Sequence, residues 1–380
     1  MQFRSFGKLG WMVSALGFGC MRFPTTDGKQ ISPNIDEPES IRMLRYAIDR
    51  GVNYVDTAYV YHDGRSEVVL GKALREGYRE KVKIATKLPI WQVNEPADFD
   101  KLLNEQLTRL RTDHIDCYLI HAVNQTRWHD HVLKHSVLNK AEKALADGRI
   151  RHLGFSFHDE FSIFEEVLNG TDLWSFCQLQ YNYMDVENQA GMRGVKLAAS
   201  KGLAVVVMEP LLGGSLANPP EDVRHTFQRF PAQHSPVEWA LEWLWDQPEV
   251  SVVLSGMSTV RQVEENLHAA DRARIHGFGI AEQDLIERAR ELYKARTEIP
   301  CTKCGYCMPC PNGVHIPNNF EIYNYAHLFD DVDTARFKYQ VFLNENERAG
   351  GCIDCDICES QCPQKIAISE WMPRVAELLA

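Results

Sequence analysis

Four residues carry the chemistry that can be read directly from the chain. Asp56, Tyr61, Lys87 and His121 are a carboxylate, a phenol, an ammonium and an imidazole. Asp56 closes the strand-like stretch Tyr54-Val55-Asp56, and Tyr61 follows shortly after it. Lys87 ends Ile84-Ala85-Thr86-Lys87, and His121 ends Tyr118-Leu119-Ile120-His121. Laid side by side and parallel, these strands bring their carboxyl ends to one face, where the four side chains converge. A phenol titrating near ~10 is a poor acid at neutral pH. A neighbouring ammonium stabilises the phenolate and lowers that value. A carboxylate holds the ammonium in place, and an imidazole orients a carbonyl. The set is a proton-delivery site for carbonyl reduction.

A second chemistry lies in the cysteines, of which there are 11. Eight follow Pro300 in two tight groups: Cys301, Cys304, Cys307 and Cys310-Pro311, then Cys352, Cys355, Cys358 and Cys362-Pro363. Three thiolates at x2 spacing surround one corner of an iron–sulfur cube. The fourth, followed by Pro, sits too close to complete that cube, and in two-cluster ferredoxins it ligates the other cluster. The expected assignment is one [4Fe–4S] cluster on Cys301, Cys304, Cys307 and Cys362, and a second on Cys352, Cys355, Cys358 and Cys310. The first group departs from the bacterial spacing, with two residues rather than three before its fourth cysteine. Structural zinc sites are the bland alternative, but they usually pair two CxxC knuckles. Cys20, Cys117 and Cys177 fall in strand-like stretches and read as buried thiols without a redox role.

Positioning the first set requires a sheet, and the chain alternates strand and helix signals eight times. The expected strands are Val13–Cys20, Asn53–Asp56, Val82–Lys87, Ile115–His121, His152–Ser156, Phe176–Tyr181, Ala204–Met208 and Ser251–Leu254. Helical stripes such as Ile41, Leu44, Ile48 and Leu103, Leu107, Leu110 separate them. Eight units in about 260 residues fit an α/β (β/α)8 barrel better than an open doubly wound sheet, and such barrels carry their sites at the strands' carboxyl ends. Residues 1–12 read as a short hairpin. The boundary falls near Pro300, giving a barrel over 1–296 and a mainly helical, two-cluster ferredoxin-like domain over 297–380. Trp91 and Trp128 fall in loops, as pocket walls or half-buried aromatics. His129, His131, His135 and His158 lack ligand spacing and read as solvated. Asp330-Asp331-Val332-Asp333 reads as a helix terminus or solvated face.

The formal net charge of -11, with no offsetting basic block, argues against nucleic-acid binding. No run approaches the ~18 apolar residues of a membrane span. The first residues lack an apolar leader core, so a cytoplasmic location is the default expectation.

With Asp56-Thr57-Ala58-x-x-Tyr61, Lys87 and His121 in order, the whole chain resembles the aldo/keto reductase superfamily. More closely, it resembles the branch with a C-terminal ferredoxin-type domain. The resemblance implies a nicotinamide cofactor, usually NADP(H), with Tyr61 as proton donor, Lys87 lowering its pKa, Asp56 paired to Lys87, and His121 orienting the carbonyl. It implies nicotinamide contacts from Ser156 and Gln178 and a stacking ring at Tyr181. It implies a pyrophosphate loop at Glu209-Pro210-Leu211-Leu212-Gly213, and an adenine-ribose motif through Gly256, Ser258, Gln262, Glu265 and Asn266. The chain departs from the family's pattern in four places. Phe157 stands where Asn is often found, Glu209 where Ser is common, and Gly256 and Gln262 where some members carry Lys and Arg; Arg261 lies beside the last. The function expected is NADP(H)-dependent reduction of a small-molecule carbonyl, or the reverse oxidation, with the clusters passing electrons to or from a ferredoxin-like partner. Hydride carries two electrons and a cluster moves one, so a bound flavin such as FMN is a further candidate. On that alternative the chain is an electron-transfer protein on a reused barrel, using a bound flavin or a partner protein and turning over no carbonyl. On a third reading, the clusters only brace their own domain.

Overall fold

A computed structural model of the chain describes residues 1–29 and 31–380. They fall into two compact units. Met1–Gly213 with Val237–Gly279 form one, and Gly214–Pro236 with Ile280–Ala380 form the other. The sequence alone suggested a single boundary at 296/297. Spatially, the helix Ile280–Lys294 and the segment 214–236 group with the C-terminal residues.

The first unit opens with a hairpin of β1 (Phe3–Ser5) and β2 (Met12–Ser14). Eight further strands follow: β3 (Leu16–Gly19), β4 (Tyr54–Asp56), β5 (Lys83–Leu88), β6 (Ile115–Val123), β7 (Ile150–Phe157), β8 (Trp174–Gln180), β9 (Ala204–Met208) and β10 (Val250–Gly256). Each pairs in parallel with the next, and β10 closes on β3 to complete the barrel. The (β/α)8 architecture expected from the alternation is therefore the fold. One expected strand, Val13–Cys20, proves to be two pieces. Met12–Ser14 pairs back onto the hairpin, and the barrel strand begins at Leu16. Ser14 Oγ donates to the Leu16 carbonyl (2.7 Å) at the joint. Val13, Ala15, Leu16 and Phe18 are all buried apolar residues, so the run continues across the joint and hides the break.

Strands such as Ala204-Val205-Val206-Val207 are buried on both faces, as a sheet wrapped by helices requires. Inside the barrel, Tyr54, Ala85, Cys117, Leu119, Phe176, Val206 and Val252 pack with Phe6 of the hairpin. The Phe6 ring lies 4.4 Å from Trp11 and 5.7 Å from both Tyr54 and Phe176. That plug fills the end where the strands begin, leaving the opposite end for chemistry. The helix Pro96–Leu110 illustrates the outer ring. It starts at a Glu95/Asp98 capping box with Pro at its first position, and it buries Phe99, Leu102, Leu103, Gln106 and Leu110 on one face.

The second unit is helical: Glu221–Gln228, Ile280–Lys294, Ile316–Phe329, Val332–Phe342 and Ile368–Leu379 are its main elements. The first of these was not evident from sequence. Asp331, in the acidic run, caps Val332–Phe342 by accepting from Thr334 N (3.0 Å). No helix of the described residues is long and apolar enough to cross a membrane.

Candidate functional site

The barrel brings Asp56, Tyr61, Lys87 and His121 together. Asp56 ends β4, Lys87 lies near the end of β5, His121 lies late in β6, and Tyr61 opens the short turn Tyr61–Gly64. Lys87 is 1% exposed. Its Nζ donates to Asp56 Oδ1 (2.6 Å), to the Thr57 carbonyl (2.7 Å) and, more loosely, to Tyr61 Oη (3.4 Å). The Tyr61 and His121 rings meet edge to face at 6.1 Å. Burial works to lower the Lys87 ammonium, but Asp56 and Tyr61 outweigh it and leave its pKa above that of ordinary lysine. Burial pushes the Tyr61 phenol up, and Lys87 opposes that rise. The ammonium therefore holds the phenol lower than its buried setting alone would. Burial holds His121 well below the ordinary histidine value, with Lys87, His158 and Arg127 adding to the effect. The ring is neutral and can donate one N–H to a carbonyl oxygen.

Behind the site, Gln106 Nε2 donates to the Lys87 carbonyl (3.1 Å) and to the fully buried Glu67 (2.7 Å). This network fixes the end of β5, and nothing in the sequence pattern marked it. Trp91 joins the mouth. Its ring lies 5.2 Å from His121, under the Arg127 guanidinium at 4.7 Å. Trp128 is instead core, 1% exposed and packed on Trp174. His131, read as solvated, is half-buried and pairs through Nδ1 with the Val93 carbonyl (3.0 Å).

The residues matched to nucleotide binding separate into groups. Gln178 is 2% exposed, and its Oε1 has no hydrogen-bond partner among the described residues. Its Nε2 lies 3.6 Å from Met208 Sδ. Ser156 Oγ accepts from Ala122 N (2.7 Å) and keeps its own proton to donate. Tyr181 is wholly buried, its ring 5.2 Å from Trp243. A stacking ring needs an open face, which Tyr181 lacks; the half-exposed Met208, at the end of β9, lies beside Gln178. Pro210 is buried, and Gly213 is exposed with left-handed backbone; Leu211 lies between them. Gln262 is committed to its helix. Its Oε1 accepts from Ser258 N (2.7 Å) and Thr259 N (3.2 Å). Arg261 pairs with Glu265 (2.7 Å). Asn266 donates to Ser255 Oγ (2.7 Å).

In the second unit the eight cysteines form two sets. Cys310, Cys352, Cys355 and Cys358 line one cavity with Val314, Ile316 and Met372. Cys301, Cys304, Cys307 and Cys362 line another with Phe320, Ile366 and Ile368. Each set surrounds a space walled by apolar side chains, which suits a cube of iron and sulfide held by four thiolates. The cysteine loops are pinned by asparagines. Asn324 accepts from Ile299 N (2.9 Å) and donates to its carbonyl (2.8 Å), just before Cys301. Asn319 donates to the His315 (2.9 Å) and Glu347 (2.8 Å) carbonyls. Cys20, Cys117 and Cys177 are fully buried thiols, although Cys20 opens a turn and is not within a strand.

A family model described as the aldo/keto reductase family matches residues 15–284, and one described as a 4Fe-4S dicluster domain matches residues 300–367. A probable aldo-keto reductase from Glycine max is 24% identical over 76% of this chain and 87% of its own length. An uncharacterised oxidoreductase of Bacillus subtilis, YqkF, is 26% identical over 72% of this chain and 93% of its own. Among solved structures, the holo form of aldo-keto reductase AKR11C1 from Bacillus halodurans superposes with a TM-score of 0.63. It is 26% identical, covering 76% of this chain and 96% of that one.

Proposed function

Because the chain belongs to the aldo/keto reductase family and carries a 4Fe-4S dicluster domain, we propose that it reduces a small-molecule carbonyl with NADP(H), or runs the reverse oxidation, while its clusters exchange electrons with a ferredoxin-like partner. The observation that carries this reading is the buried Lys87 ammonium, shared between Asp56 at 2.6 Å and Tyr61 at 3.4 Å. A nicotinamide held there would supply the hydride. Tyr61 Oη gives its proton to the carbonyl oxygen, and Lys87 stabilises the phenolate left behind. His121, neutral, donates a hydrogen bond that holds the carbonyl in line. The unpaired Gln178 Oε1 supports a carboxamide beside it, since a buried acceptor without a donor is costly. Ser156, Pro210, Leu211, Gly213, Gly256, Ser258 and Asn266 belong to this reading by position; Tyr181 is left out because its ring, packed near Trp243, offers no open face for stacking. In the second unit the two cysteine sets would each hold one [4Fe–4S] cluster, a one-electron store.

The test is Tyr61→Phe. Carbonyl turnover falls by about 10² or more, the usual weight of a general acid, while iron and sulfide content stay unchanged. Unchanged turnover removes the catalytic reading. A wild type that turns over no carbonyl while ferredoxin reduces its clusters favours instead the electron-transfer alternative, with a flavin such as FMN in the barrel.

A further inference from the structure

A cation not singled out by the sequence motifs lies between two loops at the carboxyl end of the barrel. Arg22 ends the turn Cys20–Arg22 that follows β3. A Cβ added at Gly256 would fall 2.7 Å from Arg22 Cγ, and one added at Gly213 would fall 3.6 Å from its Nη2. The stem of Arg22 thus fills the room left at Gly256, and its guanidinium reaches towards Gly213. Ser258 Oγ donates to the Arg22 carbonyl (2.8 Å), fastening the turn to the loop after β10. Gly213 has φ of +67°, a left-handed conformation that glycine adopts without strain.

The placement has chemical meaning. β9 and β10 are the seventh and eighth barrel strands, and the loops after those strands form the frequent phosphate seat of this architecture. A guanidinium matches phosphate oxygens in pairs. Glu209 Oε2 lies 3.9 Å from the same point above Gly213. A carboxylate there repels an anion unless a cation stands beside it, and Arg22 supplies that charge. Arg261 is 87% exposed in its side chain and engaged with Glu265.

We propose that Arg22 clamps the pyrophosphate of the dinucleotide, so that it reads what NADH and NADPH share and not the 2′-phosphate that distinguishes them. The inference rests on the dinucleotide reading above. The experiment is a fluorescence titration of the purified full chain with NADPH and with NADH, for the wild type, Arg22→Ala and Arg22→Lys. Far-UV circular dichroism and iron content confirm that each variant is folded and loaded. Arg22→Ala is expected to weaken both nucleotides by a similar factor, about 10- to 100-fold, the weight of a charged hydrogen bond. Arg22→Lys restores part of the affinity, because the charge returns without the fork. Loss confined to NADPH overturns the assignment in favour of 2′-phosphate recognition. Unchanged affinity for both overturns it while leaving the dinucleotide reading in place. A wild type that binds neither nucleotide overturns that reading and this inference with it.

Discussion

Lys87 shows how much one buried charge is asked to do. It has lost its water, and its ammonium is held by Asp56 and the Thr57 carbonyl. Removing it strands Asp56, and breaking a buried pair from one side costs roughly 3–5 kcal/mol. Lys87→Met should therefore lower the unfolding free energy by that amount in a denaturant titration. Asp56→Asn/Lys87→Met should recover much of it. In whatever Lys87→Met protein folds, the Tyr61 phenol loses the charge that opposes its rise. The alkaline limb of the alcohol-oxidising direction, which needs the phenolate, should then move to higher pH. His121 makes a separate prediction. Its folded pKa lies well below the ordinary value, chiefly through burial. Below about pH 6.5 the unfolded chain binds a proton that the folded chain refuses, so stability falls with pH. The slope for this one group approaches about 1.4 kcal/mol per pH unit. His121→Asn should flatten that slope between about pH 6.5 and 5, as followed by circular dichroism in denaturant.

At the scale of elements, what was legible depended on whether the signal was local. The eight strand-helix alternations were readable because each strand is an apolar run and each helix an apolar stripe. The ends Asp56, Lys87 and His121 are polar residues breaking such runs, which is why the side chains that converge there could be named beforehand. The split at Ala15 was not readable, since apolar residues continue through it. The burial of Tyr181 was hidden too, because its cover, Trp243, is distant in sequence. Arg22 was missed for the same reason: it meets Gly213 and Gly256 only when the barrel closes. In the second unit the cysteine spacing was legible, but the clamps that aim the loops were not. Asn324 is a helical residue whose amide satisfies both backbone groups of Ile299. Asn324→Ala leaves those groups unpaired and should cost about 1–3 kcal/mol. The loss should appear as faster bleaching of the visible iron–sulfur absorbance in air, and a bleaching rate equal to that of wild type would count against the clamp.

At the scale of the whole molecule, each cysteine set draws from both ends of the C-terminal stretch: Cys310 sits with Cys352, Cys355 and Cys358, and Cys362 sits with Cys301, Cys304 and Cys307. Filling either cavity therefore closes a long loop of chain, and metal binding of this kind is folding free energy. Cys355→Ser should lower the iron content by about half and open residues 301–380 to protease before the barrel is cut. The second unit also holds a segment that arrives early. Residues 214–236 lie between β9 and β10 in the chain, yet they belong with Ile280–Ala380. Leu216, Val223 and Phe227 are buried. A gene shortened to end the protein before Ile280 would still encode them, with their covering helices gone. The unit that holds the two cysteine sets is thus written in two separate stretches of the chain. A cut at any one junction leaves part of that unit behind in the barrel's stretch of chain.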